Sequence, residues 1–321
     1  MMNCRQGILG QIIKQIPLPA CGLTLGVAAL GNMLSGYSNF LSWGYGIVAV
    51  TLWILLLFKC IFYWPQAKQE LANPLTLSVF EAFFMTLLQI SIYSAPYFGK
   101  LAYFCWITAN IGHIVLVVVF SQRYLNNFQL SSVYTTWNIL YSGNMLAAVA
   151  APLFHLEQAG QWIFWIGFFG LLPCYPISTY RYWKLPVTEA VLPTLCVLAA
   201  PFNLSLAAYL SCTDNPSVWF TLLLACIAQG MYLYVLFCLP RILKTPFTPS
   251  YGALTFPFVI SAVALQKLLL FFTDSGISYP ELLHQIIFIE ELIAVLIVTY
   301  VLIRYVLFLM QCIKEQSRLN C

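Results

Sequence analysis

The sequence predicts an all-α integral membrane protein, and three observations lead to that fold class. Of its 321 residues, 61% are hydrophobic and only 7% are charged, whereas soluble domains carry about 25% charged residues. Apolar runs long enough to cross a bilayer as a helix, roughly 20 residues each, recur along the whole chain. The basic residues gather in the short connections between these runs. A water-exposed surface is therefore excluded for most of the molecule.

Ten apolar spans divide the chain, which we treat as a single transmembrane domain over residues 1–321. Spans 1 to 5 are predicted at 16–36, 42–63, 74–95, 97–120 and 132–154. Spans 6 to 10 are predicted at 161–182, 188–211, 217–239, 249–272 and 283–309. Because short connections join antiparallel neighbours, successive spans are expected to pair as five helical hairpins.

The distribution of basic residues orients the spans in the membrane. Ten spans put Lys100 on one side and leave Lys267 inside span 9. The other side holds twelve of the 14 basic residues: Arg5, Lys14, Lys59, Lys68, Arg123, Arg181, Lys184, Arg241, Lys244, Arg304, Lys314 and Arg318. Since cytoplasmic connections carry the excess of Lys and Arg, both termini are predicted to be cytoplasmic.

Odd-numbered and even-numbered spans differ in composition. The odd spans carry more prolines and polar residues than the even spans, and span 1 contains a Gly22-x-x-x-Gly26 pair. Such residues are costly in lipid, so the odd spans are predicted to line a central pore while the even spans face lipid or neighbouring subunits. Alternatively, these residues only hold helices together. The pore-lining candidates are Asn138, Ser142, Asn144, Pro193, Pro201, Asn203, Ser205, Thr255 and Ser261.

Four charged residues lie within or near the hydrocarbon region, where ionised side chains are expensive and often functional. Lys267 is expected to reach the outer surface, to pair with Asp274 or a glutamate of span 10, or to face the pore. A protonated Glu81, Glu290 or Glu291 would suit proton-coupled transport.

Three stretches give the chain a resemblance to a known family. IPLPACGLTLGVAALG in span 1, VLAAPFNLSLAAYLS in span 7 and ALTFPFVISAVAL in span 9 resemble the tellurite-resistance/dicarboxylate transporter family. Its members include bacterial TehA, fungal malate and sulfite transporters, and the plant slow-type anion channels. The similarity covers nearly the whole chain, with the stretches in the same order.

The resemblance implies five hairpins around a pore within each protomer, a homotrimer, and a phenylalanine on span 9 that occludes the pore. The T-F-P step assigns that role to Phe256, directly before Pro257, with Phe258 as the competing candidate. Pro257, which the bacterial pattern replaces by glycine, is expected to bend span 9. It is also expected to displace Phe256 from helical geometry. Without the resemblance, both phenylalanines would be assigned to core packing.

The function this implies is an anion channel or uniporter for chloride, nitrate or small carboxylates, in the inner (cytoplasmic) membrane of a bacterium. The alternative is a proton-coupled transporter of C4-dicarboxylates or of oxyanions such as tellurite and sulfite. The three histidines, His113, His155 and His284, show no metal-ligand spacing, and no G-x-x-x-x-G-K-[ST] phosphate loop is present. We therefore predict no enzyme activity, cofactor, metal or nucleic-acid partner.

Overall fold

A computed structural model describes residues 8–319 and consists of helices joined by short connections. Arg5, one of the basic residues used to orient the chain, lies outside the described residues. The first seven α-helices are α1 (Ile8–Gln15), α2 (Ala20–Met33), α3 (Asn39–Phe62), α4 (Trp64–Glu70), α5 (Pro74–Val79), α6 (Glu81–Ser94) and α7 (Gly99–Tyr124). The next seven are α8 (Thr136–Ser142), α9 (Met145–Ala150), α10 (Glu157–Lys184), α11 (Ala200–Cys212), α12 (Val218–Ile242), α13 (Thr255–Asp274) and α14 (Leu282–Leu319). Short 3₁₀ segments cover Leu34–Gly36, Leu130–Ser132, Ala151–Phe154, Leu192–Ala199 and Pro249–Leu254.

Within the described residues, eight helices are long and apolar enough to cross a membrane. A ninth is obtained when the bent pair Leu9–Gln15 and Ala20–Gly36 is counted as one span. The predicted span 132–154 is not a continuous helix, because it is divided into α8, α9 and the Ala151–Phe154 turn. Ser, Gly and Asn are weak helix formers, and the S-G-N sequence at 142–144 coincides with that division.

Segments of the odd-numbered predicted spans form the interior of the molecule. Helices α2, α6, α9, α11 and α13 pack against one another in that order, and α13 returns to α2, which closes a ring of inner segments. Residues are 72–83% buried in the apolar windows of the third, seventh and ninth spans, but only 22–39% buried in those of the even-numbered spans. The composition difference in the sequence therefore corresponds to an inner and an outer layer.

The outer helices cover the joints of this ring. Helix α3 packs on α2 and α6, α7 packs mainly on α6, and α10 packs on α9 and α11. Helix α12 packs on α11 and α13, and α14 packs on α13 and α2. Each outer helix therefore contacts the inner partner of its own hairpin, and most also bridge to the next inner segment.

An irregular segment precedes α13, and it corrects the expectation for span 9. The 3₁₀ segment Pro249–Leu254 precedes α13, so the change in geometry comes before Phe256. Pro257 is the third residue of α13, where a backbone N–H has no acceptor within the α-helix. Phe256 lies inside α13, and the prediction that proline displaces it from helical geometry is wrong.

Helix α14 also continues to Leu319, beyond the predicted end at 309.

The break in the first span is held by an ion pair between a buried lysine and a partly exposed glutamate. Pro17 and Pro19 follow α1, and the chain bends by 105° before α2. The Lys59 ammonium donates to the Ile16 carbonyl oxygen at 2.5 Å and to the Glu70 carboxylate at 2.5 Å. The other Glu70 oxygen accepts from the Leu18 amide at 2.8 Å. Lys59 is 1% exposed, so it is a structural cation rather than a solvated connection residue.

Backbone carbonyls freed at the other breaks also have partners. The Thr135 hydroxyl donates to the Thr194 carbonyl at 2.6 Å, and the Tyr175 hydroxyl donates to the Leu198 carbonyl at 2.8 Å. The Tyr305 hydroxyl donates to the Pro249 carbonyl. Unsatisfied backbone groups cost several kcal/mol in a bilayer, so these bonds allow irregular backbone at the centre of the molecule.

The Gly22 and Gly26 pair receives α13 at close range. The Thr255 hydroxyl donates to the Gly22 carbonyl at 2.9 Å and to the Gly252 carbonyl at 2.8 Å. A Cβ at Gly26 would overlap the Thr255 side chain. Small residues at these positions therefore set the distance between the first and ninth spans.

Candidate functional site

Two cavities lie within the ring of inner segments in the described part of the chain. The larger, here called the Lys267 cavity, has a volume of about 610 Å³ and lies between the C-terminal parts of α2, α6 and α13. Its polar lining residues are Asn32, Ser35, Tyr37, Gln89, Gln266 and Lys267. The smaller, here called the Phe256 cavity, has a volume of about 20 Å³, room for about one water molecule.

Phe256 lies where the space inside the ring narrows. Phe256 and Pro257 line the small cavity together with Leu25. Val259 and Val263, one and two turns further along α13, line the Lys267 cavity. The Phe256 ring is only 2% exposed. Phe256 therefore borders the cavity of about 20 Å³, and residues of the same helix one and two turns later border the cavity of about 610 Å³.

Phe258 points to the other side of α13. It is fully buried, and its ring meets that of Tyr232 on α12 edge to face, with 5.7 Å between the ring centroids. It lines neither of the two cavities of the described residues. The two competing phenylalanines thus differ in environment: Phe256 borders the small cavity, and Phe258 packs against an outer helix.

Asn203 and Ser261 face α12. The Gln229 amide of that helix donates to the Asn203 side-chain oxygen at 3.5 Å and to the Ser261 hydroxyl at 3.2 Å. The Asn203 amide donates to the carbonyls of Ala199 at 2.8 Å and Ala228 at 3.4 Å. These two candidates join inner segments to an outer helix.

The candidates of the fifth predicted span face α10. The Asn138 amide donates to the Ser178 hydroxyl at 3.0 Å, and the Ser142 hydroxyl donates to the Asn138 carbonyl at 2.5 Å. The Asn144 side-chain oxygen lies beside Gly167, where a Cβ would come within 2.9 Å of it. Asn138 thus joins α8 to α10 and Ser142 bonds within its own helix, whereas the buried Asn144 side-chain oxygen has no hydrogen-bond partner among the described residues.

The remaining candidates are packed between inner segments. The Ser205 hydroxyl donates to the Pro201 carbonyl at 2.8 Å and lies 3.6 Å from the Met145 sulfur. Pro193 and Pro201 are buried near the starts of Leu192–Ala199 and α11. Thr255 packs against Gly26 of α2. None of the nine polar or proline candidates lines either cavity in residues 8–319, and their roles in permeation stay predictions.

The three intramembrane carboxyl groups also point away from the cavities. A Glu81 oxygen lies 2.8 Å from Nδ1 of His113 on α7, and both side chains are buried. The Glu290 carboxyl approaches the Ser261 hydroxyl and the Gln229 amide. Glu291 accepts from the Tyr37 hydroxyl at 2.9 Å and from the Gln266 amide at 2.6 Å. Among the described residues, neither cavity has an acidic lining residue.

Lys267 is half-buried and lines the larger cavity. It also borders an adjoining cleft of about 570 Å³ whose lining includes Asp214 and Asp274. Within residues 8–319, no ion pair or hydrogen bond involves its ammonium group. The expected pairing with Asp274 or with a glutamate of α14 is therefore not formed.

Sequence reasoning missed the amide-bearing part of this site. The Asn32 amide donates to the Gln89 side-chain oxygen at 2.6 Å and to its carbonyl at 3.1 Å, and both residues line the Lys267 cavity with Gln266. Each of the three stands near the C-terminal end of an odd-numbered predicted span. A search for polar residues at those ends would have found them.

The arrangement suits binding of an anion. The described residues contain no group of three His, Cys, Asp or Glu side chains placed to hold a metal ion. The larger cavity offers amide groups and one ammonium group, which are donors for a negatively charged solute.

A search of curated proteins returned no match. The family model described as voltage-dependent anion channel matches residues 15–312, which include all ten predicted spans. This match agrees with the resemblance found in the first, seventh and ninth spans. The chain therefore belongs to the voltage-dependent anion channel family.

Proposed function

We propose that the protein is a channel or uniporter that passes small anions, such as chloride, nitrate or small carboxylates, through a path within each protomer. The observation that carries the proposal is the lining of the two cavities. It includes one cationic side chain, Lys267, and no carboxylate among the described residues. A lining that carries a positive charge and no carboxylate favours the entry of anions.

Phe256 is proposed to close this path. An aromatic ring at an apolar constriction blocks it by its volume and by excluding water. The small cavity on one side of Phe256 holds about one water molecule, which leaves no room for a hydrated anion. A change of the Phe256 rotamer or a small shift of α13 would join the two cavities.

Weak binding suits conduction, because an ion must leave the path as readily as it enters. The side-chain amides of Gln89 and Gln266 supply neutral donors at the larger cavity, whereas the Asn32 amide donates both of its N–H groups to Gln89. The Val259, Ile260 and Val263 side chains of α13 supply an apolar wall between these amide groups and Phe256. This combination is proposed to replace part of the hydration shell of an anion without trapping it.

The buried Glu81–His113 pair favours a second candidate, proton-coupled transport of dicarboxylates or of oxyanions such as tellurite and sulfite. A carboxyl beside an imidazole at 2.8 Å can exchange a proton with it. The pair lies between α6 and α7 rather than at either cavity, which favours the channel. A Glu81→Gln variant that abolished pH-driven succinate uptake into liposomes would reverse that preference.

We propose ten spans, with the broken stretch Thr136–Phe154 as the fifth, and both termini in the cytoplasm. The distribution of basic residues supports this orientation. A cysteine replacing the exposed Lys100 is expected to react with a membrane-impermeant maleimide in intact cells, whereas one replacing Lys184 reacts only after lysis. Equal labelling in intact cells would contradict the orientation. A homotrimer in the inner membrane is proposed on family membership alone, and light scattering in detergent tests the subunit number.

Ion selectivity is the direct test of the channel proposal. Purified protein in a planar bilayer under a potassium chloride gradient is expected to give a reversal potential close to the chloride equilibrium potential. Replacing chloride by nitrate should preserve that selectivity, since one ammonium group recognises charge rather than shape. A reversal potential near that of potassium would overturn the proposal. Silence of both the wild type and a Phe256→Ala variant would favour the coupled transporter.

A further inference from the structure

Lys267 forms no ion pair within the described residues, although it is half-buried in the membrane-spanning part of the molecule. Asp214 and Asp274 line the adjoining cleft that Lys267 also borders, and neither forms an ion pair with it. A desolvated cation without a partner is costly in a protein interior. The lining of the Lys267 cavity therefore offers a positive charge to an anion and contains no carboxylate among the described residues.

Glu291 is close to this cavity but is bound elsewhere. The Tyr37 hydroxyl lies 2.9 Å from both of its carboxylate oxygens, and the Gln266 amide donates to one of them at 2.6 Å. Tyr37 and Gln266 belong to the cavity wall, whereas Glu291 does not. These hydrogen bonds hold the carboxylate behind the wall, away from the space that Lys267 borders.

A neutral donor is available at the same cavity. The side-chain oxygen of Gln89 accepts the Asn32 amide at 2.6 Å, which fixes the orientation of the Gln89 amide group. That bond leaves the Gln89 side-chain nitrogen as a donor at the wall. Gln89 belongs to α6 and Lys267 to α13, so donors from two inner segments border one space.

We infer that the Lys267 cavity is a binding site for one monovalent anion, inorganic or a monocarboxylate, with Lys267 as its counter-charge and Gln89 as a neutral donor. A dicarboxylate would bring two negative charges to a lining that holds one positive charge. The second carboxylate would be desolvated without a partner. This inference rests on the proposed function, because it assigns the charge class of the permeant anion at the entrance of the same path.

Binding is tested without conduction, by the thermal stabilisation of purified protein in detergent at rising concentrations of potassium nitrate, acetate or succinate. A ligand that binds only the folded state raises the melting temperature with its concentration. The wild type and the variants are titrated in parallel with each salt at matched ionic strength, so that the non-specific effect of the salt cancels in the comparison. Nitrate and acetate are expected to stabilise the wild type at lower concentrations than succinate.

Three variants locate the site. Lys267→Met is expected to raise the half-saturating nitrate concentration at least about tenfold, the ratio for a lost charge-assisted hydrogen bond. Lys267→Arg should retain binding because the charge remains. Lys100→Met, which removes the same charge from an exposed residue, should leave binding unchanged. Equal nitrate dependence in the wild type and Lys267→Met would overturn the site, and tighter binding of succinate than of acetate would overturn its charge class.

A second measurement separates failure of the site from failure of the channel. In a Phe256→Ala background, the current is recorded against the anion concentration on the Lys267 side of the bilayer. Lys267→Met should shift the half-saturating concentration by the same factor as in the binding assay. Lys267-dependent binding by a protein that never conducts would support the site and contradict the channel. Anion currents that Lys267→Met leaves unchanged would support the channel and contradict the site.

Discussion

Replacing Phe256 with alanine is expected to raise the anion conductance at least about tenfold, which corresponds to lowering the barrier by about 1.4 kcal/mol. The side chain lines the cavity of about 20 Å³, and Val259 and Val263 of the same helix line the cavity of about 610 Å³. Removing the ring opens a connection between the two cavities and lets water enter the constriction. Single-channel and macroscopic currents in planar bilayers, compared at equal protein density, measure the effect.

Phe258→Ala is the matched control for that experiment, because it removes the same side chain two residues along α13. Phe258 is fully buried against Tyr232 of α12, so its loss should destabilise the fold by about 3–5 kcal/mol without increasing the conductance. A rise in conductance in Phe258→Ala, with none in Phe256→Ala, would assign the gate to the competing residue. No rise in either variant would remove the aromatic gate from the mechanism.

Lys59→Met is expected to lower the free energy of unfolding by about 1–3 kcal/mol, the cost of leaving partly buried hydrogen-bond acceptors without their donor. The substitution leaves the Ile16 carbonyl without its donor and the Glu70 carboxylate without its cation. Both partners hold the 105° bend that leads into α2. The measurement is the melting temperature in detergent, with size-exclusion chromatography to monitor the folded fraction. The variant is expected to melt at a lower temperature than the wild type.

The control for this variant is Lys68→Met on α4. Lys68 is exposed and close in sequence to Glu70, so its loss should change stability by less than about 0.5 kcal/mol. Adding Glu70→Gln to Lys59→Met should recover part of the loss, since it removes the unpaired charge. Equal melting temperatures for the Lys59 and Lys68 variants would show that the ion pair does not stabilise the bend.

Composition alone predicted a helical membrane protein, and the contrast between odd and even spans predicted its two layers. The reason is physical: lipid accepts bulky apolar side chains on every face of a helix, whereas prolines, glycines and amides need protein contacts. The small residues of α2 and the polar residues of α11 are accordingly buried. The motif resemblance pointed to the family that the whole-chain match then identified.

The direction of each polar side chain within the inner layer came from the tertiary structure only. A helix buried on all sides has no polar face, so periodicity cannot tell the cavity side from the side that meets an outer helix. Asn138 therefore reaches Ser178 of α10, and Asn203 and Ser261 meet Gln229 of α12.

The bonds of Lys59 and Glu70 to the backbone of Ile16 and Leu18 likewise join residues more than 40 positions apart in the chain. The break in the fifth predicted span is a feature of the backbone that the apolar pattern did not predict. The sequence by itself determined which segments are inner and which are outer, because that choice depends on composition. Only the tertiary structure decided which inner side chains face the cavities, because that choice depends on the rotation of each buried helix about its own axis.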